Sequence, residues 1–327
     1  MDVHELLTNI SKATVPQNIP MKEIINMPNF HASMKIQIWN NEIYTPGVIM
    51  EERCTQILNQ LKEVLLVHKL PNVVFVYCTR DCSPDFNKYI FTHAIISGMP
   101  TNNIAAPCFT FYDWNINGIT DILKYEDTKE SLRNVASNYM VNLDEWSKKE
   151  DTLIFVGALT EENHRIKNTA FGEINGVTNI IVNSLNVSKD TYISREELAK
   201  YKYLLHLNGH VGAYSSRLKY LLMTGSLCFY ITDYENSFIQ WLEYWMFCPE
   251  ITKNMVITKT VKECEKAVAY YNNNKQEAYE KANRAYVATH QLLEKENVLL
   301  YWKVLLETYH SRTDVKVDRQ IFFSKFE

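Results

Sequence analysis

Two stretches of the sequence carry side chains suited to chemistry on a hydroxyl or a phosphate. The first is Thr79-Arg80-Asp81-Cys82-Ser83-Pro84-Asp85, directly after the apolar run Val73-Val74-Phe75-Val76-Tyr77-Cys78. A carboxylate just beyond a buried strand can act as a general base once a substrate hydroxyl comes within hydrogen-bond reach. Asp81 is the candidate. Asp is also common in such loops for structural reasons, and capping a helix or pairing with Arg80 is the alternative role. The second stretch runs from His206-Leu207-Asn208-Gly209-His210-Val211-Gly212 through Ala213-Tyr214-Ser215-Ser216-Arg217-Leu218-Lys219-Tyr220. A strand pattern ends in a small-residue loop, and a helix pattern follows with hydroxyl residues and two cations. Free amides at a helix start favour an anion. Arg217 can add two parallel bonds to a phosphate, and Lys219 a compact charge. The glycines match neither G-x-G-x-x-G nor a P-loop, so an ordinary βα loop with a solvated Arg217 and Lys219 stays open.

Other positions carry less. His210 sits in the loop and can line a cleft, whereas His206 falls in a strand pattern and reads as core. Asp113-Trp114 can offer an acid and a ring to a sugar. Ser215 and Ser216 lack the Gly-x-Ser-x-Gly elbow, which disfavours serine hydrolysis. No Asp-x-Asp occurs, Asp233-Tyr234-Glu235 resembles a metal-binding triplet only loosely, and Cys78-x3-Cys82 has no second half suited to zinc. No metal site is expected.

The elements that must position these residues alternate between strand and helix. Strand patterns occupy 73–78, 108–112, 152–156, 179–182, 203–207, 226–231 and 255–257. Unbroken apolar runs of this kind suit strands buried on both faces of a parallel sheet. Ser194-Arg195-Glu196-Glu197 and Thr260-Val261-Lys262-Glu263 read as capping boxes. Tyr214, Leu218, Leu221 and Leu222 fall at helical spacing, and Gly225 closes that helix. In the helical tail Val298, Tyr301, Trp302, Leu305 and Tyr309 line one face. Such alternation predicts an α/β protein of two doubly wound halves, with ligands beyond the carboxyl ends of the strands. The polar run Lys148-Lys149-Glu150-Asp151 marks the boundary: a domain over 1–148, a second over 149–295, and a helix and tail over 296–327 packing back on the first.

The 327 residues are 46% hydrophobic and 22% charged, which is a globular composition. A net charge of -4 argues against wholesale nucleic-acid binding. No apolar run approaches the roughly 20 residues that span a bilayer. The start, Met1-Asp2-Val3-His4-Glu5-Leu6-Leu7, has neither a basic region nor an apolar signal core, and the cysteine count is odd, so a cytoplasmic protein is expected.

Four blocks in order resemble glycosyltransferase family 90, over roughly residues 65–310. They are Leu70-Pro71-Asn72-Val73 into Thr79-Arg80-Asp81; Ala106-Pro107-Cys108-Phe109-Thr110-Phe111; Tyr201-Lys202-Tyr203-Leu204 through Ser216-Arg217-Leu218-Lys219-Tyr220-Leu221 to Gly225-Ser226-Leu227; and Tyr301-Trp302 with Leu305-Leu306 and Tyr309. The resemblance implies a GT-B fold, two Rossmann-like domains facing across a cleft. It implies an inverting, metal-independent transfer of glucose or xylose from UDP-glucose or UDP-xylose to a hydroxyl of a glycan or glycoprotein, with no cofactor beyond the UDP-sugar donor. Asp81 would be the base, and Gly212, Ala213, Tyr214, Ser215, Ser216 and Arg217 the diphosphate and nucleotide loop, with Lys219 beside it. Two departures stand out. Val156-Gly157-Ala158 replaces the family's Arg-Gly-Ser, leaving Gly157 without a flanking cation, and the next family Arg falls at His164 or Arg165. The family's Asp-x-Pro is one residue longer here, at Asp81-Cys82-Ser83-Pro84, which by the same resemblance makes Asp85 a backup for the base. A degenerate module that binds a sugar nucleotide or glycan without transferring it is the second reading.

Overall fold

The computed structural model describes residues 2–47, 51–81, 85–112, 125–155, 194–209, 214–234, 237–238, 240–322 and 324–326. The chain folds into two compact units. One comprises Met1–Tyr125, Trp241–Phe247 and Leu292–Glu327, the other Glu126–Gln240 and Cys248–Gln291.

The first unit is built on a six-stranded sheet. Its order is Ser324–Lys325, Glu42–Thr45, Ser33–Trp39, Val73–Cys78, Phe91–Thr92, Ile104–Ala105. Val73–Cys78 and the two strands after it run parallel, as the alternation of elements predicts. All six side chains of Val73–Cys78 are buried. The other three strands are antiparallel and depart from the doubly wound expectation. Their hairpin turns at Asn40 and Asn41, whose φ angles are 49° and 64°. Two left-handed residues make the tight turn whose twist matches the flanking strands, and Asn is among the few residues that tolerate it. A second departure lies at 108–112. Phe109–Phe111 is a short 3-10 turn and the strand is Ile104–Ala105, just ahead of Pro107. Proline has no amide to continue a ladder.

The Lys295–Arg312 helix locks onto this sheet by its expected face. Val298, Tyr301, Trp302, Leu305 and Tyr309 are all buried. Burial of each such side chain is worth about 1.5–3 kcal/mol. Their polar ends find partners too. The Tyr309 hydroxyl donates to the Val74 carbonyl at 3.0 Å, the Tyr301 hydroxyl to the Ala105 carbonyl at 2.9 Å, and Trp302 Nε1 to Gln60 Oε1 at 3.1 Å. Gln37, fully buried, clamps the C-terminal tail. Its Oε1 accepts from the Ile321 and Phe322 amides at 2.7 and 3.0 Å, and its Nε2 donates to the Arg319 carbonyl at 2.9 Å.

The second unit has a four-stranded, wholly parallel sheet. Its order is Val256–Thr258, Leu227–Ile231, Tyr201–His206, Glu150–Ile154. These match four of the expected strands within two residues; the one expected at 179–182 lies outside the described residues. The Val261–Asn273 and Lys275–Leu292 helices bring Val268, Tyr271, Ala278 and Ala282 onto a core with Tyr203, Leu227 and Phe229. The first expected capping box forms in full, Ser194 and Glu197 exchanging side-chain bonds with each other's amides. The second forms by half. Thr260 Oγ1 accepts from the Glu263 amide, but the Glu263 carboxylate turns to the Lys259 amide. Gly225 ends its helix as expected, at φ 70°. A Cβ there would stand 2.5 Å from Met140 Sδ, and its carbonyl accepts from Trp146 Nε1 at 3.0 Å.

Two predictions follow from buried polar groups. Gln37→Leu strands two amides and a carbonyl that the tail must re-solvate. A loss of about 1–3 kcal/mol in urea titration is expected, with faster amide exchange at Ile321 and Phe322. Lys149 is buried, and its ammonium donates to the Thr224 carbonyl and Ser226 Oγ, both at 3.0 Å. Burial lowers its pKa from 10.5 to about 7. The penalty for burying the charge is therefore full below pH 7 and falls as the pH rises toward 10.5. Relative to Lys149→Met, the wild type should gain about 1.5 kcal/mol of stability between pH 7 and 8.5; parallel pH profiles in chemical denaturation would refute it.

Candidate active site

Within the first unit, three parallel strands end side by side, and each delivers a residue to one place. Thr79 through Asp81 leave Val73–Cys78, His93 follows Phe91–Thr92, and Phe109 comes four residues after Ile104–Ala105. The strand exit is pinned first. The Thr79 amide donates to the Ala32 carbonyl at 2.8 Å and the Thr79 hydroxyl to Glu51 Oε1 at 3.0 Å. Arg53, in the first turn of the Glu52–Val67 helix, then reaches across. Its Nη1 donates to the Thr79 carbonyl at 3.0 Å and to Asp81 Oδ1 at 2.9 Å; its Nη2 donates to Oδ2 at 3.3 Å. The guanidinium lies 4.6 Å from the centre of the Phe109 ring. His93 is buried edge-on to Phe109, and its Nε2 is 3.8 Å from Asp81 Oδ1. The Asp81 side chain is 43% exposed, so a solute can reach it. Its ion-pair partner is thus Arg53, 28 residues upstream, and not the neighbouring Arg80. Cys54 also borders the cluster, but burial, with help from the Glu51 charge, pushes its thiol up to about 12, which leaves it unreactive. Asp85 is used locally: its Oδ1 accepts from the Asn87 amide at 3.0 Å and its Oδ2 lies 3.8 Å from Lys88 Nζ.

In the second unit the strand ends are again where polar groups gather. Asn208 follows Tyr201–His206 and is buried; its Oδ1 accepts from the Tyr230 hydroxyl at 2.5 Å. His206 is buried edge-on to Tyr230 at 4.7 Å, the core role expected for it. Phe155 follows Glu150–Ile154, and the Arg217 guanidinium lies 4.5 Å from its ring centre. Lys219 is fully buried and its ammonium donates to the Ser216 carbonyl at 3.1 Å. The helix after the loop starts later than expected, at Leu218, with Arg217 as its cap residue, and ends at Leu222. Tyr214, Leu218, Leu221 and Leu222 are buried as their spacing predicts. Tyr214, Ser215 and Ser216 nevertheless precede the helix, since serine hydroxyls compete for helical backbone groups. The described helix start is therefore at Leu218, beyond the hydroxyl residues.

The candidates Gly157, Arg165, Gly212, Ala213, His210, Asp113 and Trp114 lie outside the described residues. Tyr214, Ser215, Ser216, Arg217 and Lys219 follow one another along one segment of the second unit, and Asp81 stands in the first. Sequence reasoning missed Arg53, His93, Phe155, Asn208 and Tyr230. Asn208 had a signal, an Asn-Gly pair ending an apolar strand. Arg53 had none, because a helix N-terminus 28 residues away gives no local spacing to read. Among the described residues no three His, Cys, Asp or Glu side chains group to hold a metal ion, and no helix is long and apolar enough to cross a membrane.

Comparison with known proteins adds a family to this geometry. The model of Glycosyl transferase family 90 matches residues 15–323. Protein O-glucosyltransferase 1 of Homo sapiens is 24% identical over 312 residues, covering 87% of this chain and 74% of the human protein. The Mus musculus protein of that name is 23% identical over the same span. O-glucosyltransferase rumi of Drosophila melanogaster is 27% identical over 134 residues, 40% of this chain and 31% of the fly protein.

Proposed function

The chain belongs to glycosyl transferase family 90, and we propose that it moves glucose from UDP-glucose to a hydroxyl of a protein or glycan, with inversion at the anomeric carbon. That it is a glycosyltransferase follows from the family, whose model spans all but short stretches at either end. Glucose and a protein acceptor are taken from what the relatives are called. The base is supported by one observation above the rest. Asp81 is an oriented carboxylate at the carboxyl end of a central parallel strand, and its side chain remains 43% exposed. Ligands of such sheets bind at that edge.

In this reading the acceptor O–H gives its proton to the Asp81 carboxylate. The acceptor oxygen forms a bond to the anomeric carbon, the bond from that carbon to the phosphate oxygen breaks, and its electron pair leaves with UDP. A positioned base contributes about 10²–10⁴-fold. Arg217 is the group that meets the leaving diphosphate, its guanidinium held 4.5 Å from the Phe155 ring centre. An Arg fork suits this task because it binds phosphate oxygens in pairs and does not lose its charge. The overall arrangement proposed is GT-B, with the base from the first unit and the donor grip from the second.

Two outcomes test the reading. Asp81→Asn should keep donor affinity and lose at least 10²-fold in turnover, measured as UDP released from UDP-glucose; undiminished turnover would move the base elsewhere. In a thermal-shift screen of UDP-sugars, UDP-glucose should raise the melting point of the wild type, and Arg217→Ala should abolish the shift. A shift that survives this substitution counts against the phosphate role.

A further inference from the structure

We propose that Arg53 is the positioning residue for the base, fixing the Asp81 carboxylate so that Oδ2 receives the acceptor proton. This rests on the reading of Asp81 as the base and adds which group aims it and which oxygen acts. Asp81 leaves a rigid strand but stands on irregular backbone, with a side chain nearly half exposed. A carboxylate so placed has several rotamers open to it. Arg53 removes that freedom because it is itself held from three directions. Its backbone is in the first turn of a 16-residue helix, its Nη1 is tied to the Thr79 carbonyl at 3.0 Å, and its guanidinium carbon stands 4.6 Å from the Phe109 ring centre. Two contacts to one carboxylate then fix the plane of that group as well as its position.

The two oxygens are not equivalent. Oδ1 takes the shorter bond, 2.9 Å, and also has His93 Nε2 at 3.8 Å. Oδ2 takes one bond of 3.3 Å. A carboxylate oxygen offers two acceptor positions; with the longer Arg53 bond, and with the imidazole contact on Oδ1, Oδ2 is the less engaged oxygen and the better placed to take an incoming hydroxyl. The step balances simply. The acceptor proton moves to Oδ2 and Arg53 stays protonated throughout. The pair turns from ion pair to a cation beside a neutral acid, and the acid afterwards hands its proton to water. Misplacement of a reacting group by about 1 Å can cost about 10²-fold.

The test uses the full chain and UDP-glucose, read as UDP released, for the wild type, Arg53→Ala, Arg53→Lys, Asp81→Asn and the double variant Arg53→Ala/Asp81→Asn. Arg53→Ala should lose about 10- to 100-fold in kcat, with KM for UDP-glucose changed less than twofold, and added methylguanidinium should restore part of the loss. It should add nothing to Asp81→Asn, since its effect runs through that carboxylate. Arg53→Lys keeps a charge and loses the fork; it should lose about 10-fold, and it decides the matter if Arg53→Ala does not fold. Full kcat in a folded Arg53→Ala or Arg53→Lys, beside an inactive Asp81→Asn, overturns the positioning role and leaves the base standing. Full kcat in Asp81→Asn, or no UDP release by the wild type, overturns the base reading and this inference with it.

Discussion

A strand covered on both faces can present polar side chains only where it ends. That constraint organises both units. Every residue of Val73–Cys78 is buried, as is every residue of Leu227–Ile231. Chemistry is thereby pushed to the residues just beyond the last ladder bond, and in a parallel sheet all those exits lie on one edge. Thr79, His93 and Phe109 meet because three parallel strands stop together. Asn208 and Phe155 are strand exits of the second sheet for the same reason.

Such an edge is useful only if its loops are held still. Here the holding is done by polar side chains that reach out of the core to backbone groups. Gln60 takes the Trp302 indole on its oxygen and gives its amide to the Cys108 carbonyl at 2.8 Å. That bond fixes the segment carrying Phe109. Tyr77 donates to the Pro107 carbonyl of the same segment at 2.8 Å. Phe109 in turn supports both Arg53 and His93. Gln60, Tyr77 and Trp302 are buried, and an unmade bond there would cost about 1–3 kcal/mol. Rigidity at the exposed carboxylate is therefore drawn from satisfied polar groups in the interior.

Much of this was legible. The four second-unit strands, the stripe on the last long helix, the Ser194 capping box and the Gly225 stop are local patterns, and local patterns survive folding. The errors were also local in origin. The 108–112 run looked like a strand because aromatic residues suit strands, but Pro107 breaks the ladder. The helix beginning at Tyr214 looked complete because burial has helical spacing there, yet hydroxyl residues lead it. The hairpin at Asn40-Asn41 carries its signal locally too, in the alternation of Ser33–Trp39 and in two residues that tolerate a left-handed turn.

The sequence by itself determined that the protein is α/β with parallel strands, that Asp81 follows a buried strand, and that it resembles glycosyltransferase family 90, because periodicity, turn chemistry and motif order are properties of neighbouring residues. Only the tertiary structure decided that Arg53, and not Arg80, faces Asp81, that His93 and Phe109 complete the cluster, and that Lys219 is buried against its own loop. Those outcomes depend on which strands stop together and which helix passes above them, and no spacing along the chain encodes a distance in space.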